Sequence, residues 1–281
     1  MKRLAAVLAS VLLPALLLAG CTGDGDGSSA PSPSASSSAT VSESPTPTPA
    51  ARVPAPRERA CYALGYDQAL APTSGAKSVP CAKPHTSMTY AVGVLDAVVD
   101  GHLLAVDSDR VQSQVATECP RRLPAYLGGS LDDLHLSMLR AVWFTPTVKL
   151  SDAGADWYRC DVIAVASEGR LAPLAPRMGG VLGTAEGRDR FGMCSTAEPG
   201  HADFFRVICS RPHSWRAVEV VHFAGARYPG PAAAREAGQA PCEDAGRAAA
   251  ADPLQFTWGY EWPTKEKWDG GQHYGLCWVP D

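Results

Sequence analysis

Eight of the nine cysteines fall into two runs of four with one rhythm. Cys61, Cys81, Cys119 and Cys160 lie 20, 38 and 41 positions apart, and Cys194, Cys209, Cys242 and Cys277 lie 15, 33 and 35 apart. A short interval followed by two long ones, twice over, is the mark of an internal repeat. An even cysteine count in an exported chain predicts disulfides, which fix which parts of the chain must be neighbours. Four cysteines per copy allow three pairings. Short loops favour first with second and third with fourth, and the other two pairings stay open.

The repeat extends beyond cysteine. Cys81-Ala-Lys-Pro84-His85-Thr86 matches Cys209-Ser-Arg-Pro212-His213-Ser214, 128 positions later (209 minus 81). Each motif leads into an apolar, β-branched stretch that reads as a strand, Tyr90 to Leu95 and Val218 to Phe223. A helix-like segment then runs to the third cysteine, with Val111, Val115 and Cys119 spaced to share one face. Pro146-Thr147 and Pro263-Thr264 each lie in a turn before the last cysteine, flanked by strands. The expected class is α+β: two homologous, mostly antiparallel, disulfide-stapled domains at 59–166 and 183–281, joined by a Pro/Gly-rich linker at 167–182. About 100 residues suits one modest core, to which each bridge adds about 2–4 kcal/mol.

The chain opens with Lys2 and Arg3, an apolar run, and Leu18-Ala19-Gly20-Cys21. This is the layout of a secretory signal over 1–20. Its ending resembles the bacterial lipobox, which implies cleavage before Cys21 and a lipid on its sulfur. Two or more acyl chains anchor stably where one does not. Residues 21–58 are nearly all Ser, Thr, Pro, Ala, Gly and Asp, a composition that predicts a disordered spacer. The expected location is therefore extracytoplasmic, with the lipid holding the chain to the cell membrane. A net charge of −4 with no basic run argues against a nucleic-acid partner.

The order of a leading Cys, Cys-x-x-Pro-His, Tyr228-Pro229-Gly230, a third Cys, then Pro263, Gly270 and Cys277 resembles the septum-formation domain of actinobacterial envelope proteins. The first copy lacks the Tyr-Pro-Gly. The resemblance covers both copies and implies an envelope protein tied to division, with no known catalysis. It leaves the partner as an unnamed envelope protein or wall component.

The residues fit other chemistries less well. Cys81 and Cys209 each have a histidine four residues on, but thiol catalysis needs a free thiolate, and exported cysteines in even number are expected to be oxidised. A zinc site wants several Cys/His ligands together, whereas each Pro-His accompanies one cysteine. The chain has no nucleophile elbow and no zincin helix motif, and Gly179-Gly180-Val-Leu-Gly183 lacks the lysine of a phosphate loop. No catalytic residue, metal or cofactor is expected. Pro84, His85, Pro212 and His213 read as structural corners, since proline fixes φ and the ring can bond loop carbonyls; a partner contact is their second reading. The alternatives for the whole chain are an unrecognised envelope enzyme or metal-dependent hydrolase, and a wall-glycan or peptide binding module with a shelf of Trp258, Trp262 and Trp268.

Overall fold

The computed structural model describes residues 53–281. The signal segment, Cys21 and the spacer up to residue 52 lie outside the described residues. No described helix is long and apolar enough to cross a membrane.

The first half runs β1 (Cys61–Tyr62), α1 (Tyr66–Leu70), β2 (Ser87–Val94), a small hairpin β3 (Val98–Val99) and β4 (His102–Leu103), α2 (Asp109–Leu127), α3 (Leu131–His135), β5 (Leu139–Phe144), α4 (Val148–Asp152), β6 (Trp157–Ser167) and β7 (Arg170–Ala172). Its main sheet has the antiparallel order β1-β2-β6-β5, with β7 also on β6. The second half runs α5 (Ala185–Phe191), β8 (Met193–Ser195), β9 (Arg206–Ile208), β10 (Trp215–His222), α6 (Pro231–Glu236), α7 (Gln239–Ala249), β11 (Gly259–Glu261), α8 (Lys265–Asp269) and β12 (Tyr274–Pro280). Its sheet order is β11-β12-β10-β8-β9.

The two sheets share their topology. In each, the strand of the leading cysteine pairs with the strand after the Pro-His motif. That strand pairs with the strand of the last cysteine, which pairs with the strand before it. A β-bulge interrupts the central pairing between Thr89 and Ala91, and again between Ala217 and Glu219. The extra residues, Tyr90 and Val218, are 128 positions apart (218 minus 90), the offset of the Pro-His motifs. A bulge adds one residue to one strand and fixes register, so the likeness extends to the pairing of single residues. Cys160 sits opposite Ala91 and Trp143, and Cys277 opposite Glu219 and Tyr260. Pro-Thr precedes a short helix in both halves. The hydroxyls of Thr147 and Thr264 cap α4 and α8 by accepting from the backbone N–H three residues on.

The stripe on α2 is longer than Val111, Val115 and Cys119. Leu123 and Leu127 extend it, and all five are buried. Each leucine gains about 1.5–3 kcal/mol from burial, and that packing holds the helix together despite Pro120 and Pro124 inside it. Gly128 ends it at φ 74°, its N–H donating to Pro124 C=O. A Cβ there would lie 2.8 Å from Gly180 Cα, so only glycine lets the two segments approach.

Four disulfides join neighbours in the ladder: Cys61–Cys81, Cys119–Cys160, Cys194–Cys209 and Cys242–Cys277. In each half one bridge ties the leading strand to the turn before the Pro-His strand. The other ties the helix to the last strand.

The two halves pack against each other. One continuous core contains Leu123, Leu139 and Val162 together with Phe191, Met193, Leu276 and Trp278. The main chain also joins across: Met138 N–H donates to Phe191 C=O (2.8 Å), and Met193 N–H to Leu136 C=O (2.7 Å). Residues 167–182 are packed, with β7 on the first sheet and Leu174 and Met178 buried in that core. The glycines and prolines there supply bends, and the spaced apolar residues bind the segment to the surface it crosses.

Candidate functional site

The two Pro-His motifs build the same corner. Proline ends the turn that follows the bridged cysteine, and the histidine folds back so that Nδ1–H donates to the carbonyl two residues earlier. In the first half this bond reaches Lys83 C=O at 2.8 Å, and in the second Arg211 C=O at 2.6 Å. The next residue secures the leading strand. Thr86 Oγ1–H donates to Leu64 C=O (2.7 Å), and Ser214 Oγ–H to Thr196 C=O (2.8 Å).

Beyond Nδ1 the corners differ. His85 is 2% exposed, and its Nε2 is buried with no hydrogen-bond partner. The ring's one hydrogen bond in this closed site is the one at Nδ1. His213 is more accessible, and its Nε2 lies 3.1 Å from Asp281 Oδ2. Both nitrogens of His213 face oxygen atoms, the Arg211 carbonyl and the Asp281 carboxylate. Asp281 also accepts from Arg216 Nε (2.5 Å). Burial raises its pKa, but Arg216 and then His213 outweigh that and hold the carboxyl below its usual value.

One ligand of each metal-binding type gathers at this second corner. Donor atoms of Cys194, His213 and Asp281 lie within 4.8 Å of one another. Cys194 is bonded to Cys209, so its sulfur is no thiolate, and the carboxylate is engaged by Arg216. The donor set does not fit zinc, which takes deprotonated thiols. Cys81 and Cys209 are likewise bridged, which leaves neither as a nucleophile in this state.

The structure also places a charged pair that sequence reasoning missed. Arg159 and Asp161 are both buried on β6, with Arg159 Nη2 3.3 Å from Asp161 Oδ2. Ser87 and Thr89 hydroxyls each donate to the carboxylate at 2.7 Å. The guanidinium lies between the rings of Tyr62 (3.9 Å) and Phe144 (4.4 Å). Burial pushes the Asp161 pKa up, against Arg159 and the two hydroxyls. The available signal was the alternation Trp157-Arg159-Asp161-Ile163, which puts both charges on one face of an otherwise apolar strand.

Where the halves meet, the His135 ring stacks on Tyr274 with centroids 3.8 Å apart. Arg206 and Lys267 both reach Glu261, at 2.7 and 2.6 Å. Burial raises the Glu261 pKa, but the two cations overcome it and leave the group below its usual value. The tryptophan shelf does not form. Trp268 is buried beneath Phe223, Tyr228 and His273, and Trp258 and Trp262 pack partly against the Cys242–Cys277 cluster.

A family model described as septum formation matches residues 60–277 in one stretch. No curated protein and no solved structure matches the chain.

Proposed function

Because the chain belongs to the septum-formation family, matched from the first to the last paired cysteine, we propose that it is a non-enzymatic, lipid-anchored protein of the cell envelope that holds a partner near the division septum. The family match carries the division link. The Leu-Ala-Gly-Cys21 ending and the Ser/Pro/Thr-rich spacer support the anchor and an extracytoplasmic position. The shared strand order, bulge and bridge pattern support a tandem origin for the two halves. For a binding role speak the two Pro-His corners, whose rings are engaged with loop carbonyls, and the eight bridged sulfurs. The partner is an envelope protein or wall component.

The experiment is a Cys21→Ser variant followed in cells by fractionation and by a fluorescent fusion. Wild type is expected in membranes and enriched at septa, and the variant in the soluble or released fraction. Membrane retention of the variant overturns the anchor, and an even envelope distribution of the wild type overturns the septal role.

A further inference from the structure

The first sheet ends in an edge strand, β5, which among the described residues pairs only with β6. Val165 N–H donates to Met138 C=O (2.9 Å). With the register Leu139 opposite Ala164, alternation turns the backbone of 140, 142 and 144 toward β6 and that of Leu139, Ala141 and Trp143 outward. The ends of this outer row are occupied. Leu139 N–H donates to Ser137 Oγ (3.2 Å), Leu139 C=O accepts from Arg140 Nη1 (2.7 Å), and Thr145 N–H donates to Pro72 C=O (3.1 Å). Between them, the N–H and C=O of Ala141 and Trp143 have no partner among the described residues.

A cavity opens on each face of this free edge. On the α2 side, about 220 Å³ is lined by Pro120, Leu123, His135, Arg140 and Tyr274. On the opposite face, about 220 Å³ is lined by Ala69, Leu70, Pro72 and Val142. Ala141 borders both. Successive side chains of a strand point to opposite faces, so a strand added here drops neighbouring side chains into the two cavities. The second half does not repeat this. Its edge strand β11 has three residues, and Glu261 on it is held by Arg206 and Lys267, the short, charged form that discourages pairing.

We propose that the β5 edge docks an extended peptide segment of a partner protein, which adds as a strand and sets an acidic side chain against Arg140. Arg140 lines one cavity, where its guanidinium donates to the Ser137 and Leu139 carbonyls and meets no carboxylate among the described residues. A second copy of this edge would not answer that charge, since Leu-Arg-Ala-Val-Trp-Phe holds no acid. Main-chain bonds supply affinity and alternate pockets supply selectivity in such strand addition. The proposal names the kind of partner the interaction role requires and stands apart from where the protein is held.

The test pans a random heptapeptide phage library on the full chain, with Ala141→Pro as counter-target. Proline at an edge position whose N–H faces outward leaves the sheet intact; circular dichroism checks this. Wild type is expected to enrich sequences that alternate apolar residues and carry Asp or Glu, with a synthetic winner binding the proline variant at least tenfold more weakly. That peptide is expected to protect the Ala141 and Trp143 amides from hydrogen exchange in wild type, a readout independent of the variant. Arg140→Glu is expected to move selection toward Lys and Arg. No enrichment over Ala141→Pro, winners without acids, or unprotected amides would overturn the proposal. So would self-association of wild type that Ala141→Pro abolishes.

Discussion

The two Pro-His corners share a backbone and differ in what the imidazole faces. In the first half the ring is closed in, and its one hydrogen bond is to the Lys83 carbonyl. In the second, the same ring also meets the Asp281 carboxylate. The difference traces to one position. Four residues past the last cysteine stands Ala164 in the first half (160 plus 4) and Asp281 in the second (277 plus 4). A repeated motif thus builds the same corner in both places, and its neighbours decide what the second ring nitrogen meets. The same holds for the open sheet faces. Arg159 and Asp161 correspond to Leu276 and Trp278, each 117 positions later (277 minus 160). The second half presents an apolar face to the shared core where the first buries an ion pair.

The sharpest break in that comparison is Asp161→Ala. It leaves Arg159 buried without its counter-charge and removes the acceptor for Ser87 and Thr89. The expected loss is about 3–5 kcal/mol, read by urea unfolding. The double variant Arg159→Leu with Asp161→Leu makes this face resemble the second half. It should recover most of the loss, because apolar replacement of a buried pair is often neutral. A double variant as unstable as the single would show that the pair is needed as charge.

Next in size are the helix-to-strand bridges. Cys119–Cys160 and Cys242–Cys277 span 41 and 35 residues. Chain entropy scales with the logarithm of loop length, so replacing either pair by alanine should cost a similar amount, about 3–4 kcal/mol. Since the halves share one core, calorimetry should show one transition in both variants. A second-half variant that left a separate, unshifted first-half transition would show that the halves fold independently.

How much of this was legible in the sequence divides along range. The cysteine ladder, the 128-residue offset and the α2 stripe are covalent or periodic features, and periodicity is local. The neighbouring halves were not legible as one body, because what joins them is isolated residues such as Leu174, Met178 and Phe191, whose burial depends on where distant surfaces come to rest. Leu174 and Met178 sit among prolines and glycines that read as a linker. The alternation puts Arg159 and Asp161 on one face of β6, but the Tyr62 and Phe144 rings that meet the guanidinium come from distant segments. The corner histidines were legible as structural positions, yet nothing local told His85 from His213. That distinction needed the pairing of β10 with β12, which brings Asp281 back to Ser214.

The corners themselves give a smaller contrast. His85→Ala opens a buried site and strands the Lys83 carbonyl, for an expected loss of about 2–3 kcal/mol. His213→Ala works at a more open site and should cost about 1 kcal/mol. Equal losses in urea unfolding would mean that the buried ring contributes no more than the clasped one.

The smallest effect is acid dependence, and it belongs to the second half alone. Asp281 has a folded pKa below its unfolded value because Arg216 and His213 favour the carboxylate over the opposing effect of burial. A depressed carboxyl binds fewer protons folded than unfolded, so its contribution is complete above the unfolded value, near pH 4, and fades as pH falls through the lower folded one. Partial exposure of the group screens it and keeps the effect small. Asp281→Asn should therefore lower stability slightly at pH 7 and converge with wild type near pH 2, compared by urea midpoints at both values. Ala164→Asp in the first half should gain no matching acid limb, because Leu139 and Ala172 flank Ala164 within the sheet, where a carboxylate is buried without a cation. It should instead destabilise the fold more as pH rises, opposite in sign to the clasp at Asp281, and a variant that matched the Asp281 profile would make the two corners electrostatically alike.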